Sequence, residues 1–230
     1  MNLLRKLIRN LVDFLNKDIK KFTSENNLFD VKLLDYNYSI FNIFEKIKTV
    51  PGHIVELGVG TGRNSVLFSY LIKKNKKDHN IKYFGYDLFE NCAITDTPGK
   101  FDTIFKNSNS AEENFSNVKN LLKLYSLDEI AVLIKGDITS EIYNFQNLNI
   151  GFRNNKPLIS LIYIDCNTYE VAMVALRHLK QFLSPGAYIC TDEFKIGPEV
   201  HALKDFCKDN NLELKVGSFD DFRSSYCIWK

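Results

Sequence analysis

Five short apolar runs alternating with segments of helical periodicity constrain the fold of this chain more than any other feature. The runs cover residues 53–57, 81–86, 130–135, 159–164 and 187–191, with helical patterns between them at 62–74, 111–124, 139–146 and 168–182. Strands that alternate with helices pair in parallel, because each crossover returns the chain to the same end of the sheet, and the helices cover both faces. A helical stretch near 38–48 precedes the first run, a helix near 198–208 follows the fifth, and two last strands are read at 212–216 and 223–229. The predicted fold is α/β: a doubly wound, mostly parallel, seven-stranded sheet. At 230 residues without linker-like composition, the chain reads as one domain, 1–230, with residues 1–48 as an N-terminal helical extension. Ligands of such open sheets bind at the carboxyl ends of the strands.

Those ends are acidic. The first run leads into Val55-Glu56-Leu57-Gly58-Val59-Gly60-Thr61-Gly62. Glycines turn sharply and let a ligand lie against bare peptide. The helix beginning at Arg63, with Asn64 and Ser65 in its first turn, directs unpaired N–H groups at that ligand. The glycines do not follow the dinucleotide spacing, since Arg63 stands where the third dinucleotide glycine belongs, and no Gly-Lys-Ser/Thr follows for a triphosphate. The second strand ends at Asp87-Leu88, where a carboxylate can accept from both hydroxyls of an adenosine ribose. The third ends at Lys135-Gly136-Asp137-Ile138, suited to the adenine amino group.

Glu56-x-Gly58-x-Gly60-x-Gly62 resembles motif I of the class I S-adenosylmethionine-dependent methyltransferases. The resemblance implies a Rossmann-like methyltransferase fold with an antiparallel C-terminal edge and S-adenosylmethionine as cofactor. The cofactor-binding residues expected on this reading are Glu56, Gly58, Gly60, Gly62, Asn64, Ser65, Asp87, Leu88, Asp137, Ile138 and Asp165.

A second constellation lies further along. The run 159–164 ends in Asp165, and the run 187–191 in Asp192-Glu193-Phe194. Adjacent parallel strands bring Asp165, Asp192 and Glu193 together, and crowded carboxylates repel unless something positive sits among them. A hard divalent cation, Mg²⁺ or Mn²⁺, answers that need and favours the alkoxide of a poorly acidic alcohol. The same acids can also serve as hydrogen-bonded strand ends or substrate contacts. The blocks Ile164-Asp165-Cys166-Asn167-Thr168-Tyr169-Glu170, Leu183-Ser184-Pro185-Gly186-Ala187 and Thr191-Asp192-Glu193-Phe194 are similar to those of the macrocin O-methyltransferase family, as are Val50–Val59 and Asp87–Glu90 upstream. That likeness spans roughly residues 50–195. It implies methylation of a hydroxyl on a sugar or glycosylated small molecule, with Asp165, Asp192 and Glu193 as metal ligands and Asp165 also the general base. Three positions depart from the family pattern: Asn167 and Glu193 replace aspartates, and Ala187 replaces a glycine. Thr168 stands where catechol-type enzymes carry a lysine, which disfavours a catechol acceptor.

The remaining features narrow the partners. With 30 basic and 28 acidic residues, the chain has no bulk field for nucleic acid, and it lacks the Asn-Pro-Pro-Tyr and Pro-Cys signatures of base methylation. Five scattered cysteines argue against a disulfide framework and for a reducing, cytoplasmic setting. Residues 1–22 have an apolar stripe at Leu4, Leu7, Ile8, Leu11, Leu15, Ile19 and Phe22 with basic residues around it. This suits a helix packed on the domain or at a homodimer interface, with membrane-surface association the less favoured use. Residues 91–109 lack periodicity and suit a lid. His53, His79, His178 and His201 are read as structural or solvated, with His201 near the second constellation. Tyr36 and Tyr38 suit core packing or a cover over the cofactor. Two alternatives stand beside the metal-assisted enzyme: a metal-independent methyltransferase using Asp165 alone, and a non-catalytic S-adenosylmethionine-binding scaffold.

Overall fold

The computed structural model describes residues 31–75, 80–90, 110–147, 157–193, 195–218 and 223–230. The expected helix over 1–22 and the lid over 91–109 lie outside the described residues, as do His79, Cys92 and Phe194. In chain order the elements are α1 (Val31–Ile47), β1 (His53–Leu57), α2 (Arg63–Asn75), β2 (Tyr83–Asp87), α3 (Ala111–Leu124), β3 (Ala131–Lys135) and α4 (Ile138–Glu141), which runs into a 3-10 turn at Ile142–Asn147. Then come β4 (Ile159–Ile164), α5 (Tyr169–Leu179) with a 3-10 turn at Lys180–Phe182, β5 (Leu183–Thr191), α6 (Pro198–Asp209), β6 (Lys215–Val216) and β7 (Ser225–Ile228).

The seven strands form one sheet in the order β3-β2-β1-β4-β5-β7-β6. β1 to β5 run parallel, and β7 lies antiparallel to both β5 and β6. The expected doubly wound sheet with an antiparallel C-terminal edge is therefore present. Its winding reverses between β1 and β4. α2, leaving β1, packs in the same core layer as α1 and α3, whereas α5, leaving β4, packs on the other side with α6. Such a switch point opens a crevice between the two strand ends.

Burial on both faces explains why the strands read as continuous apolar runs rather than alternating ones. Along β1, Val55 and Leu57 join one core with Ile162, Ile164, Ala172, Leu176 and Phe206, while Ile54 joins the other with Ile43, Leu67, Phe68 and Leu161. Two boundaries depart furthest from the sequence reading, for local reasons. α1 begins seven residues earlier than expected (Val31 against Tyr38): residues 31–37 contain no helix breaker, and the buried polar residues Asn37 and Ser39 interrupt the apolar stripe by which a helix is recognised. β5 begins at Leu183 rather than 187 because Pro185 and Gly186 occupy an irregularity in the ladder, where Ile159 pairs with Leu183 but Leu161 with Tyr188. A proline is tolerated at such a bulge because no ladder donor is required there.

Candidate active site

Backbone hydrogen bonds hold the carboxyl ends of five strands in one row. The Gly58 N–H donates to the Tyr86 carbonyl, Gly136 to Asp87, Asp165 to Leu57 and Asp192 to Ile164, at 2.7–3.0 Å. The acidic residues 56, 87, 137, 165 and 192 thus line one edge, as their positions at the ends of successive runs predict.

The three glycines of the loop do different work. A Cβ on Gly58, at φ +95°, would sit 1.9 Å from the Asp165 carbonyl oxygen, so this glycine allows β1 and β4 to converge. A Cβ on Gly62 would meet the Val118 side chain of α3 at 2.6 Å. Gly60, at φ +54°, has nothing within 4 Å of its Cβ position and borders open space. Asp87 holds the loop: its Oδ2 accepts from the N–H groups of Val59 at 2.7 Å and Gly60 at 2.8 Å, and its Oδ1 from Phe89 at 2.5 Å. Its neighbour Leu88 is exposed at the rim. Asp137 is exposed and caps α4, accepting from the N–H and hydroxyl of Thr139 at 2.8 Å each. Ile138 sits in the core.

Beneath the loop lies a polar interior. Glu56 is fully buried; it accepts from Asn64 Nδ2 at 2.7 Å and from the hydroxyl of Tyr83, which is in turn hydrogen-bonded to Ser65 at 2.8 Å. Burial pushes its carboxyl up to about 8, against the pull of the Tyr83 and Asn64 hydrogen bonds. The side chains of Glu56, Asn64 and Ser65 are thus turned inward. What Asn64 and Ser65 present outward is the N-terminal backbone of α2, where first-turn N–H groups have no intrahelical acceptor.

Across the switch point the three carboxylates expected to converge divide. Asp165 and Asp192 lie at neighbouring strand ends, and the Asp165 carboxyl is held well above the usual carboxylate range by burial and then by Asp192 and Glu56, with Arg63 opposing. Asp192 Oδ1 accepts from the Tyr163 hydroxyl at 3.1 Å. Glu193 is turned to the N-terminus of α6, where its Oε2 accepts from the Glu199 N–H at 3.1 Å and its carboxyl packs on the face of Gly197 that a Cβ would fill. The open N–H groups of a helix attract a carboxylate. Among the described residues no three His, Cys, Asp or Glu side chains are arranged to hold a metal ion, so the expected ligand set of Asp165, Asp192 and Glu193 is not assembled.

Several site residues escape sequence reading. Glu199, 1% exposed, accepts from the Asn167 N–H at 2.6 Å, and its other oxygen is buried without a partner. Tyr163 is hidden in the apolar run of β4, yet its hydroxyl lies 3.1 Å from that of Tyr36 on α1. Arg63 stacks its guanidinium 3.6 Å above the Tyr36 ring. Of the described histidines, His53 is buried and accepts from the Lys82 N–H, His178 packs on Tyr143 and Phe182, and His201 is exposed on α6.

No described helix is long and apolar enough to cross a membrane. Among curated proteins none matches this chain. Among solved structures, CalS11, a calicheamicin methyltransferase also described as a TDP-rhamnose 3'-O-methyltransferase, is similar at a TM-score of 0.72 and 18% identity, with 99% of this chain and 90% of that one covered. The O-methyltransferase NovP matches at 0.61 and 16%, covering 89% and 82%. An O-methyltransferase from Bacillus cereus in complex with S-adenosylhomocysteine matches at 0.54 and 9%, covering 98% and 90%. The family model for the methyltransferase domain matches residues 55–194, from the first strand to the end of the acidic row. The chain belongs to that family and has the fold of the class I S-adenosylmethionine-dependent O-methyltransferases.

Proposed function

We propose that the protein transfers a methyl group from S-adenosylmethionine to a hydroxyl of a sugar or glycosylated small molecule. The observation that carries this reading is the position of Asp165. It ends β4 beside the glycine loop, with its backbone against Gly58 and its carboxyl drawn to a proton by burial and by Asp192. The residues present fit the donor: Gly60 borders open space, and the N-terminus of α2 and the acidic strand ends at Asp87 and Asp137 surround it. When bound, the donor supplies a methyl group on a sulfonium. Asp165 accepts the proton of the attacking hydroxyl as the new C–O bond forms and the C–S bond breaks, leaving a methyl ether and S-adenosylhomocysteine. The glycine loop fixes the line of approach by holding the donor. The sugar acceptor is supported by the likeness to CalS11 and by the sequence blocks shared with the macrocin family.

The test is formation of S-adenosylhomocysteine with a panel of nucleotide sugars and glycosides, beside Asp165→Asn. Turnover lost in the variant supports the reading. No turnover by a protein that binds S-adenosylhomocysteine favours the scaffold.

A divalent cation, Mg²⁺ or Mn²⁺, is a second reading, favoured by the juxtaposition of Asp165 and Asp192. It requires Glu193 to leave the α6 terminus, or substrate oxygens to complete the site. Calorimetric titration of Mn²⁺ into the protein saturated with S-adenosylhomocysteine, beside Asp192→Asn, tests it. A cytoplasmic setting is supported by the free cysteines at 166, 190, 207 and 227.

A further inference from the structure

Arg63 is the first residue of α2, directly after the glycine loop. It is exposed, and its charge reaches into the acidic row, where it lowers the proton affinity of Asp165 against the effect of the other acids. Among the described residues, however, it forms no ion pair with any of them. Instead its guanidinium carbon sits over the Tyr36 ring, 3.6 Å from the centroid. Tyr36 is itself fixed, because its hydroxyl meets that of Tyr163, which donates to Asp192. An arginine held by stacking keeps its planar fork of donors free and pre-oriented. Such a fork is built for a carboxylate or a phosphate.

Resting on the donor site proposed above, we infer that Arg63, stacked on Tyr36, binds the α-carboxylate of the amino-acid tail of S-adenosylmethionine. The tail carries both signs. The acidic row at Asp165 and Asp192 suits its ammonium group, and Arg63, beside the loop, suits its carboxylate. The stack also gives α1 a part in the site: Tyr36 lies outside the matched segment 55–194 and orients a residue inside it. A phosphate on an acceptor shares this chemistry, so the experiment must separate the two sources.

Calorimetry with two ligands does so. S-adenosylhomocysteine carries the amino-acid tail, whereas 5'-methylthioadenosine is an adenosine thioether without it. Arg63→Ala is expected to weaken S-adenosylhomocysteine by roughly 10- to 100-fold, the usual range for a charge-assisted pair, and to change 5'-methylthioadenosine by less than about two-fold on the same grounds. Arg63→Lys, which keeps the charge but loses the fork, should weaken the first ligand only, by a smaller factor. Tyr36→Leu should do so by a few-fold, about the value of an exposed cation–π contact, while Tyr36→Phe retains the stack and the affinity. Unchanged S-adenosylhomocysteine affinity in Arg63→Ala overturns the inference and leaves Arg63 to an acceptor anion. Equal losses for both ligands in Arg63→Ala and Arg63→Lys also overturn it, because the loop rather than the tail contact has then been disturbed. A native protein that binds neither ligand overturns the donor site itself, an outcome distinct from either.

Discussion

The two halves of the strand-end row differ in how far their acids are already satisfied. On the β1–β3 side, Asp87 accepts three backbone N–H groups, Asp137 caps α4, and Glu56 takes two side-chain donors. On the β4–β5 side, the Asp165 carboxyl takes no hydrogen bond among the described residues, Asp192 takes one from Tyr163, and one oxygen of Glu199 is buried without a partner. The first half is organised in advance, as suits a ligand that is the same in every turnover. The second holds unspent acceptor capacity in a low-dielectric setting, where it costs stability until a bound or reacting group takes it up.

Substitutions on each side should separate these roles. The largest effect is expected at Asp165→Asn, which should slow turnover by roughly 10²–10⁴, the range for loss of a general base, a larger factor than its loss of S-adenosylhomocysteine affinity in calorimetry. Gly58→Ala should lower stability in urea by about 3 kcal/mol or more, since the added methyl meets backbone rather than a movable side chain. Gly60→Ala tests the contrast within one loop: with open space around its Cβ position, it should cost about 1 kcal/mol for its left-handed backbone and show its larger loss in donor affinity. Glu56 sets a pH dependence. Its folded carboxyl ionises near pH 8 and the ordinary one near 4.5, so the folded state keeps a proton the unfolded chain releases. Stability therefore declines as pH rises from about 4.5 to 8, by about 4 kcal/mol, and Glu56→Gln should flatten that decline in urea midpoints measured at pH 5 and pH 8. The smallest effect is expected at Glu193→Ala, about 1 kcal/mol for a lost helix cap. If that variant also abolishes Mn²⁺ binding to the protein with S-adenosylhomocysteine bound, Glu193 leaves α6 to ligate and the division drawn above fails.

What was legible in the sequence follows from how local its cause is. The helix at 111–124 and the strand at 159–164 are read with the bounds observed: Ser110 caps the first, its hydroxyl accepting from the Glu113 N–H, and the second is buried along its whole length. The acidic strand ends were legible because topology alone puts them in one row. Glu193 was not, because it lies past the end of β5 at Thr191, where strand register no longer sets its direction, and the helix terminus that draws its carboxyl away starts only at Pro198. The Tyr36–Tyr163 contact joins residues 127 apart in sequence and leaves no periodic trace in either segment. Arg63 was visible only as a missing glycine; its stacking partner lies on a helix that the sequence reading began two residues too late to include.

The placement of β7 between β5 and β6 sets an order of assembly. β5 precedes β7 by more than thirty residues (Thr191 to Ser225), and β6, although made earlier, pairs among the described residues only with β7. Until residues 225–228 emerge from the ribosome, β5 presents an unpaired edge beside Asp192, and β6 has no strand to join. An open edge of that kind is a template for pairing with another chain. That open edge lies on the strand that carries one side of the candidate active site, and it closes when β7 pairs with β5.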